Sequence, residues 1–423
     1  MLNKLDTRKS FEPIHEPEVG TIFGEEEMEV IRRLLFSNTT LNRGKDVALF
    51  EEEFAGYCQI PYAVAVSSCS AALRLAIQVA GLREGDEIIV QANAFWNAVV
   101  PLVERKVKVH FADVDGYSLT IDPKHVKDLV KRSKKIKAVL CFSHGGTPCR
   151  MDELREICDN NKLVLIEDAA HSSGSSYKGE KIGSWADITC FSFSTLKNIS
   201  TLGEGGMLVT NNSIFADDAR KLRQCWPVGE SIAAPKESFG QYKIPADTFF
   251  MKPGDSCTSD WTRLDEVGTN YKMSTIQAAV GRIQLKRLDD NIAKRALVAN
   301  QYNNFVLGFN GLGIVKLPSN AYSSNHLYNF FVLPAAGFDR NELISGLKQK
   351  YNVHIINRFW PVHLHPVFRM RGHGIGEAPV LERIWFQEQV SLPISPVWSA
   401  QKVNQILDGI KFIRQELLES RQT

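Results

Sequence analysis

The chain has 423 residues, 44% of them hydrophobic and 23% charged, and a formal net charge of +2. That is the composition of a globular protein long enough for two or three structural units around a large core. The near-neutral balance gives no global reason to expect nucleic acid or a membrane as partner. No apolar run approaches the ~20 residues that span a bilayer. The opening stretch MLNKLDTRKSFEPIHEPEVG lacks the apolar core of a secretion signal. Eight cysteines (58, 69, 141, 149, 158, 190, 225 and 257) form no C-x-x-C pair, so a cytoplasmic setting with free thiols is expected.

After an N-terminal arm (1–24), EEEMEVIRRLLFS predicts a helix with Met28, Ile31, Leu34 and Leu35 on one side. AVAVSS (63–68) predicts a short strand, and CSAALRLAIQVAGL a helix ending at Gly81. The chain then alternates: EIIVQA as strand, FWNAVVPLVERK as helix, KVHFADVD as strand. The lysine-rich KHVKDLVKRSKKIKAV (124–139) carries Val126, Leu129 and Val130 at helical spacing. It reads as an amphipathic helix with a solvated face in preference to a polyanion patch. KAVLCFS, LVLIEDAA, ITCFSF and GGMLVTN complete the strands, with MDELREICDNN as a further helix. Apolar strands separated by helices imply an α/β fold with a mostly parallel seven-stranded sheet covered on both faces. This large domain is placed at 25–285. It is interrupted at 226–265 by a stretch rich in Pro, Gly and aromatics, long for a structureless connection. A smaller α+β domain follows at 286–423, with HLYNFFVLPA as strand and DRNELISGLKQKY as helix.

Parallel sheets bind ligands at the carboxyl ends of their strands, so unusual polar residues there identify the site. In SSCSAAL, Ser67, Ser68 and Ser70 sit at a strand-to-helix junction. This suits either an anion such as phosphate or simple helix capping. In LVLIEDAAH, Asp168 ends a buried strand and needs a cation, a metal or a cofactor nitrogen to offset burial; a structural salt bridge competes. His171 follows three residues on, with no cluster to suggest a metal site. In FSFSTLKNISTLGEGGMLVTN, Ser192 precedes Lys197, a lysine lodged in a polar turn before Gly203, Gly205 and Gly206. A phosphate-type turn, a buried aspartate and a lysine on successive strand ends match what pyridoxal 5′-phosphate requires: an anion site, an acidic partner for the ring nitrogen, and an amine.

Segments in this order resemble the DegT/DnrJ/EryC1/StrS family of sugar aminotransferases, fold-type I enzymes that use pyridoxal phosphate. They are VSSCSAALRLAIQVAGLREGDEIIV, FADVDGYSLTIDP, the run from VLIEDAAH to GGMLVTN, GTNYKMSTIQAAVGRIQLKRLD and SLPISPVWSAQKVNQILDGI. The resemblance runs from about Gly20 to Ile410. It implies that Lys197 is the lysine that joins the cofactor and Asp168 the partner of its ring nitrogen, with His171 by the ring oxygen and Ser192 on the phosphate. Ser68, Cys69 and Ser70 fill the phosphate turn, Cys69 standing where the family commonly has Gly. Phe95 falls where an aromatic stacks on the ring, with Trp96 as the other candidate. Asn270 matches an asparagine that reaches the neighbouring subunit's phosphate, which implies a homodimer with shared sites. Arg358 and His363 are expected at the substrate mouth, Arg358 as an anion partner. Lys197, where a deoxygenating relative has His, implies transamination.

The expected reaction moves an amino group from L-glutamate or L-glutamine to a keto-sugar, nucleotide-linked, in amino-sugar biosynthesis. A keto-cyclitol acceptor, or a non-catalytic binding protein on the same fold, is the alternative. Retention of Lys197, Asp168 and Ser192 together weighs against the latter. The segment 226–265 is expected to shape the acceptor pocket, with Trp226, Phe249 or Phe250 as walls. The histidines in NRFWPVHLHPVFRMRGHG fit no common zinc spacing, and no metal is expected.

Overall fold

The computed structural model describes residues 11–42, 44–224 and 268–421; the segment 226–265, with Trp226, Phe249 and Phe250, lies outside them. Seven strands form the main sheet: β1 (Tyr62–Val66), β2 (Glu87–Gln91), β3 (Lys108–Ala112), β4 (Ile136–Phe142), β5 (Val164–Asp168), β6 (Ile188–Ser192) and β7 (Gly206–Thr210). Their order is β1-β7-β6-β5-β4-β2-β3. The pairings are parallel except those of β7, which runs antiparallel to both β1 and β6. Strands β2, β6 and β7 are buried at every residue, which is why they read as continuous apolar runs without alternation.

The helices of ten or more residues are α1 (Glu25–Phe36), α2 (Lys45–Cys58), α3 (Cys69–Val79), α4 (Pro123–Arg132), α5 (Met151–Asn161), α6 (Ser213–Leu222), α7 (Thr275–Lys286), α8 (Leu288–Leu307), α9 (Arg340–Tyr351) and α10 (Ala400–Glu419). On one face of the sheet Phe50 and Phe54 of α2 pack with Val126 of α4, Leu154 of α5 and Ile292 of α8. On the other, Leu73 and Ile77 of α3 and Ala219 of α6 meet Val362, Phe368 and Leu381. The C-terminal chain therefore crosses back onto the large sheet. A third cluster, including Tyr302, Phe330, Leu347 and Ile410, packs around a small antiparallel sheet of β8 (Leu312–Ile314), β9 (Tyr328–Val332) and β10 (Gln389–Leu392).

The lysine-rich stretch is α4, with Val126, Leu129 and Val130 buried and capped at its start by Asp122. The helix expected from Phe95 is shorter. A single turn at Trp96–Ala98 precedes Val100–Glu104, because Pro101 is tolerated only in a first turn. The apolar side expected for α1 is mostly uncovered: Leu34 is buried, yet Met28, Leu35 and Phe36 are 64%, 59% and 85% exposed. Among the described residues no helix is long and apolar enough to cross a membrane.

Candidate active site

The ends of β1, β5 and β6 converge. At β1, the Ser67 N–H donates to the Tyr271 carbonyl at 2.7 Å. Ser68 then caps α3, its hydroxyl accepting from the Ala71 N–H at 3.2 Å. The capping reading thus holds for the Ser68 side chain. The following N–H groups, as at any helix start, have no partner within the helix and favour an anion. The Ser70 hydroxyl accepts from Asn97 Nδ2 at 3.0 Å. Gly206 at the start of β7 presses on this turn: a Cβ there would lie 2.5 Å from the Ser68 carbonyl carbon and 2.6 Å from the Cys69 nitrogen. Only glycine permits that approach.

Asp168 is the last residue of β5 and is buried. Its Oδ1 accepts from the Ala170 N–H at 3.0 Å and lies 3.8 Å from the Cys69 sulfur. Among the described residues it forms no ion pair within 4.0 Å, so the salt-bridge reading of this aspartate has no partner. Burial pushes its carboxyl up to about 6, against the pull of the Ala170 hydrogen bond and the Lys197 charge. Adjacent Glu167 faces elsewhere, accepting from the Ser143 hydroxyl at 2.6 Å, as strand alternation requires.

Lys197 occupies the turn after β6, its N–H donating to the Ser194 carbonyl at 2.9 Å. Burial lowers its amine to about 8; Arg358 adds to the drop, and Asp168 and Cys69 oppose it. The turn is held from three sides. Thr195 N–H donates to Gly203 O at 2.8 Å, with Gly203 at a φ of 111° that favours glycine. Gly20 N–H, from the N-terminal arm, donates to Thr195 O at 2.8 Å, and Asn198 Nδ2 to Ser324 O at 3.0 Å. Buried Ser192 accepts from the Ser194 N–H at 3.5 Å.

His171 closes the site. Its Nδ1 accepts from the Gly145 N–H at 3.2 Å, and burial holds the ring well below the usual histidine range. The neutral ring therefore carries its proton on Nε2. It sits in an aromatic nest with His326 (centroids 4.2 Å apart), Phe142 (4.9 Å) and Phe359 (5.6 Å). Phe95 joins through Phe359 at 5.0 Å, whereas Trp96 is 50% exposed, so Phe95 fits a ring-stacking role better. Asn270 is exposed, its side-chain oxygen accepting from Lys272 Nζ at 2.7 Å.

Arg358 lies beside this nest, its guanidinium 5.9 Å from the Phe359 ring, and is ion-paired to Glu16 of the arm. His363 was expected at the substrate mouth. It is completely buried, with Nε2 2.9 Å from Glu382 Oε1 and its ring against Phe111. Its apolar neighbours Val362 and Leu364 are buried with it.

Sequence reasoning passed over His144, His326 and Phe359. His144 follows β4 and could have been found by the same rule of polar residues at strand ends. Gly20 and Arg295 gave no local signal.

An unpaired buried carboxylate, a helix start flanked by hydroxyls and a lysine with a depressed pKa fit pyridoxal phosphate. A testable consequence concerns pH. Capture of that aldehyde by the unloaded chain needs the neutral amine, so its rate should fall about tenfold per unit below about 8 and level off above it. Stopped-flow growth of the visible absorption band at a series of pH values measures this; a flat profile from 6 to 8 contradicts it.

The chain is similar to known proteins. Residues 21–411 match the DegT/DnrJ/EryC1/StrS aminotransferase family. The spore coat polysaccharide biosynthesis protein SpsC of Bacillus subtilis is 32% identical, over 93% of this chain and 95% of its own. The dTDP-3-amino-3,4,6-trideoxy-alpha-D-glucose transaminase of Streptomyces venezuelae is 30% identical over 90% of each. The crystal structure of S. venezuelae DesV superposes with a TM-score of 0.79 at 27% identity, covering 92% of this chain and 95% of that one. The chain belongs to the DegT/DnrJ/EryC1/StrS aminotransferase family and is a fold-type I aminotransferase that uses pyridoxal 5′-phosphate.

Proposed function

We propose that the chain transfers the amino group of L-glutamate or L-glutamine to a nucleotide-linked keto-deoxyhexose, in amino-sugar biosynthesis. One observation carries this reading: Lys197, with its amine lowered to about 8, lies within reach of the charge of Asp168, a buried carboxylate with no ion-pair partner among the described residues. Pyridoxal phosphate supplies an aldehyde and an electron-accepting ring. Asp168 would accept a hydrogen bond from the ring N–H and, as an anion, keep that proton in place. The start of α3, with Ser70 and Ser192, would hold the phosphate. His171 would offer its Nε2–H to the ring oxygen. Lys197 would take a proton from the donor's carbon and deliver it to the cofactor carbon that bore the aldehyde, a task that suits an amine lowered by burial.

Relatives whose names concern nucleotide sugars, such as the GDP-perosamine synthase of Vibrio cholerae, 28% identical over 94% of this chain, support the acceptor class. A homodimer accounts for the uncovered Met28, Leu35 and Phe36 of α1, since such patches on a soluble protein mark association sites. It also accounts for Asn270, exposed in one subunit and assigned to the phosphate of the next.

The test is a donor and acceptor screen on the loaded protein. L-glutamate or L-glutamine should bleach the visible band, and a nucleotide-linked keto-sugar should restore it. Restoration by keto-cyclitols alone would reassign the acceptor, and sedimentation at the monomer mass would remove the shared site.

A further inference from the structure

The N-terminal arm passes the site between two fixed points. At one, Ile14 donates to Asn352 O at 2.9 Å and accepts from His354 N–H at 2.8 Å. At the other, Gly20 donates to Thr195 O at 2.8 Å, and its carbonyl accepts from Arg295 Nη2 at 2.6 Å. Between these anchors Glu16 reaches across to Arg358, both side chains about a quarter exposed. Glu16 also lines a shallow surface cleft with Leu196, Arg295 and His326. Leu196 precedes Lys197, and the His326 ring packs on His171. The Arg358 charge is felt at Lys197, His171 and His326, and the Glu16 charge at Lys197 and Arg295.

The proposed reaction sets this pocket a problem. It must admit an amino acid, whose carboxylate is two bonds from the reacting nitrogen, and then a sugar ring that carries none. A cation close to Lys197 is needed in the first half and would be left unpaired in the second, which is costly in a partly buried site. Arg295 cannot serve. It is fully buried, with nitrogens on the carbonyls of Gly20, Asn325, His326 and Ile394. Arg358 can, because its partner is a side chain reached by water on a span of arm lying between anchors.

We propose that Arg358 is the carboxylate subsite for the amino-acid donor, and that Glu16 fills it whenever the donor is absent. The exchange replaces one carboxylate by another, so the charge-assisted hydrogen bonds to the guanidinium are conserved. The inference rests on the aminotransferase reading above and adds the donor's binding group and its internal competitor.

The experiment titrates cofactor-loaded protein with glutarate, an unreactive dicarboxylate, followed by calorimetry. Glu16→Gln and Glu16→Ala should each tighten glutarate binding about three- to fivefold, the scale of a partly exposed ion pair. Both should lower the donor KM by a similar factor. Arg358→Gln should weaken glutarate at least ~10-fold, and the double variant Glu16→Gln/Arg358→Gln should behave like Arg358→Gln. In the unaltered protein, glutarate should speed hydrogen exchange at the amides of residues 15–19; unchanged exchange overturns the proposal without any variant. Unchanged or weaker glutarate binding in both Glu16 variants also overturns it. Tighter uridine diphosphate binding with glutarate unmoved would assign Arg358 to the sugar's diphosphate and overturn it too. A protein with the visible band but any of these results loses only this proposal; one that never forms the band loses the underlying reading as well.

Discussion

Lys197→Ala should lower turnover by at least ~10⁴-fold, because two functions sit on one nitrogen. Proton transfer by a positioned side chain is worth about 10²–10⁴-fold, and the covalent hold on the cofactor is lost with it. Burial and Arg358 have set this amine at about 8 against the opposing charge of Asp168, and no other lysine among the described residues has its amine shifted that far. Borohydride reduction and peptide mapping should place the cofactor on Lys197 in the unaltered chain and nowhere in the variant. Retention of the fold is expected, since relieving a buried amine removes a desolvation cost. A variant with more than a hundredth of the original rate would contradict the assignment.

Arg295→Ala should cost about 3–5 kcal/mol of stability, the range for removing one partner from a buried charged network. The guanidinium is among the largest fully buried side chains, and burial lowers it to about 10. Its Nη2 bonds the Gly20 carbonyl at 2.6 Å, and Nη1 lies 3.4 Å from the carbonyls of Asn325, His326 and Ile394. Three segments distant in sequence thus meet on one fork. Arg295→Met separates volume from hydrogen bonding. It fills similar space but leaves the carbonyls unpaired, at about 1–3 kcal/mol for each one left buried and unsatisfied. Chemical denaturation of both variants is the measurement, with Ala expected to fall further than Met. Equal stability of all three proteins would show that the carbonyls find other partners.

Much of the architecture was legible because it rests on local rules. The sheet strands are short apolar runs, and α4 shows its buried Val126, Leu129 and Val130 as a plain helical stripe. The polar residues at strand ends, Ser67 to Ser70, Asp168 and Lys197, stood out for the same reason: each interrupts an apolar pattern where α/β sheets bind ligands. What escaped depends on contacts between remote segments. Arg295 looks like one more charged residue in an amphipathic helix. Gly20 reads as a loop glycine, although a Cβ on it would meet the Leu196 oxygen at 1.9 Å. For His363 the family resemblance suggested a place at the substrate mouth, and burial beside Phe111 with a Glu382 partner was invisible without the fold. On α1, a stripe of apolar residues foretold a buried face, and the single chain leaves most of it uncovered.

The reversed strand β7 has a consequence for how the molecule comes into being. Strand β1 lies at the rim of the sheet, where among the described strands it pairs with β7 alone, with Val66 opposite Gly206 about 140 residues later, and Val66 also bridges Lys272. A ribosome must therefore release the chain past Thr210 before β1 can dock. Until then the serine turn that follows it has no fixed place. Such long-range closure is slow. Vitamin capture is accordingly expected only after Thr210 has left the ribosome.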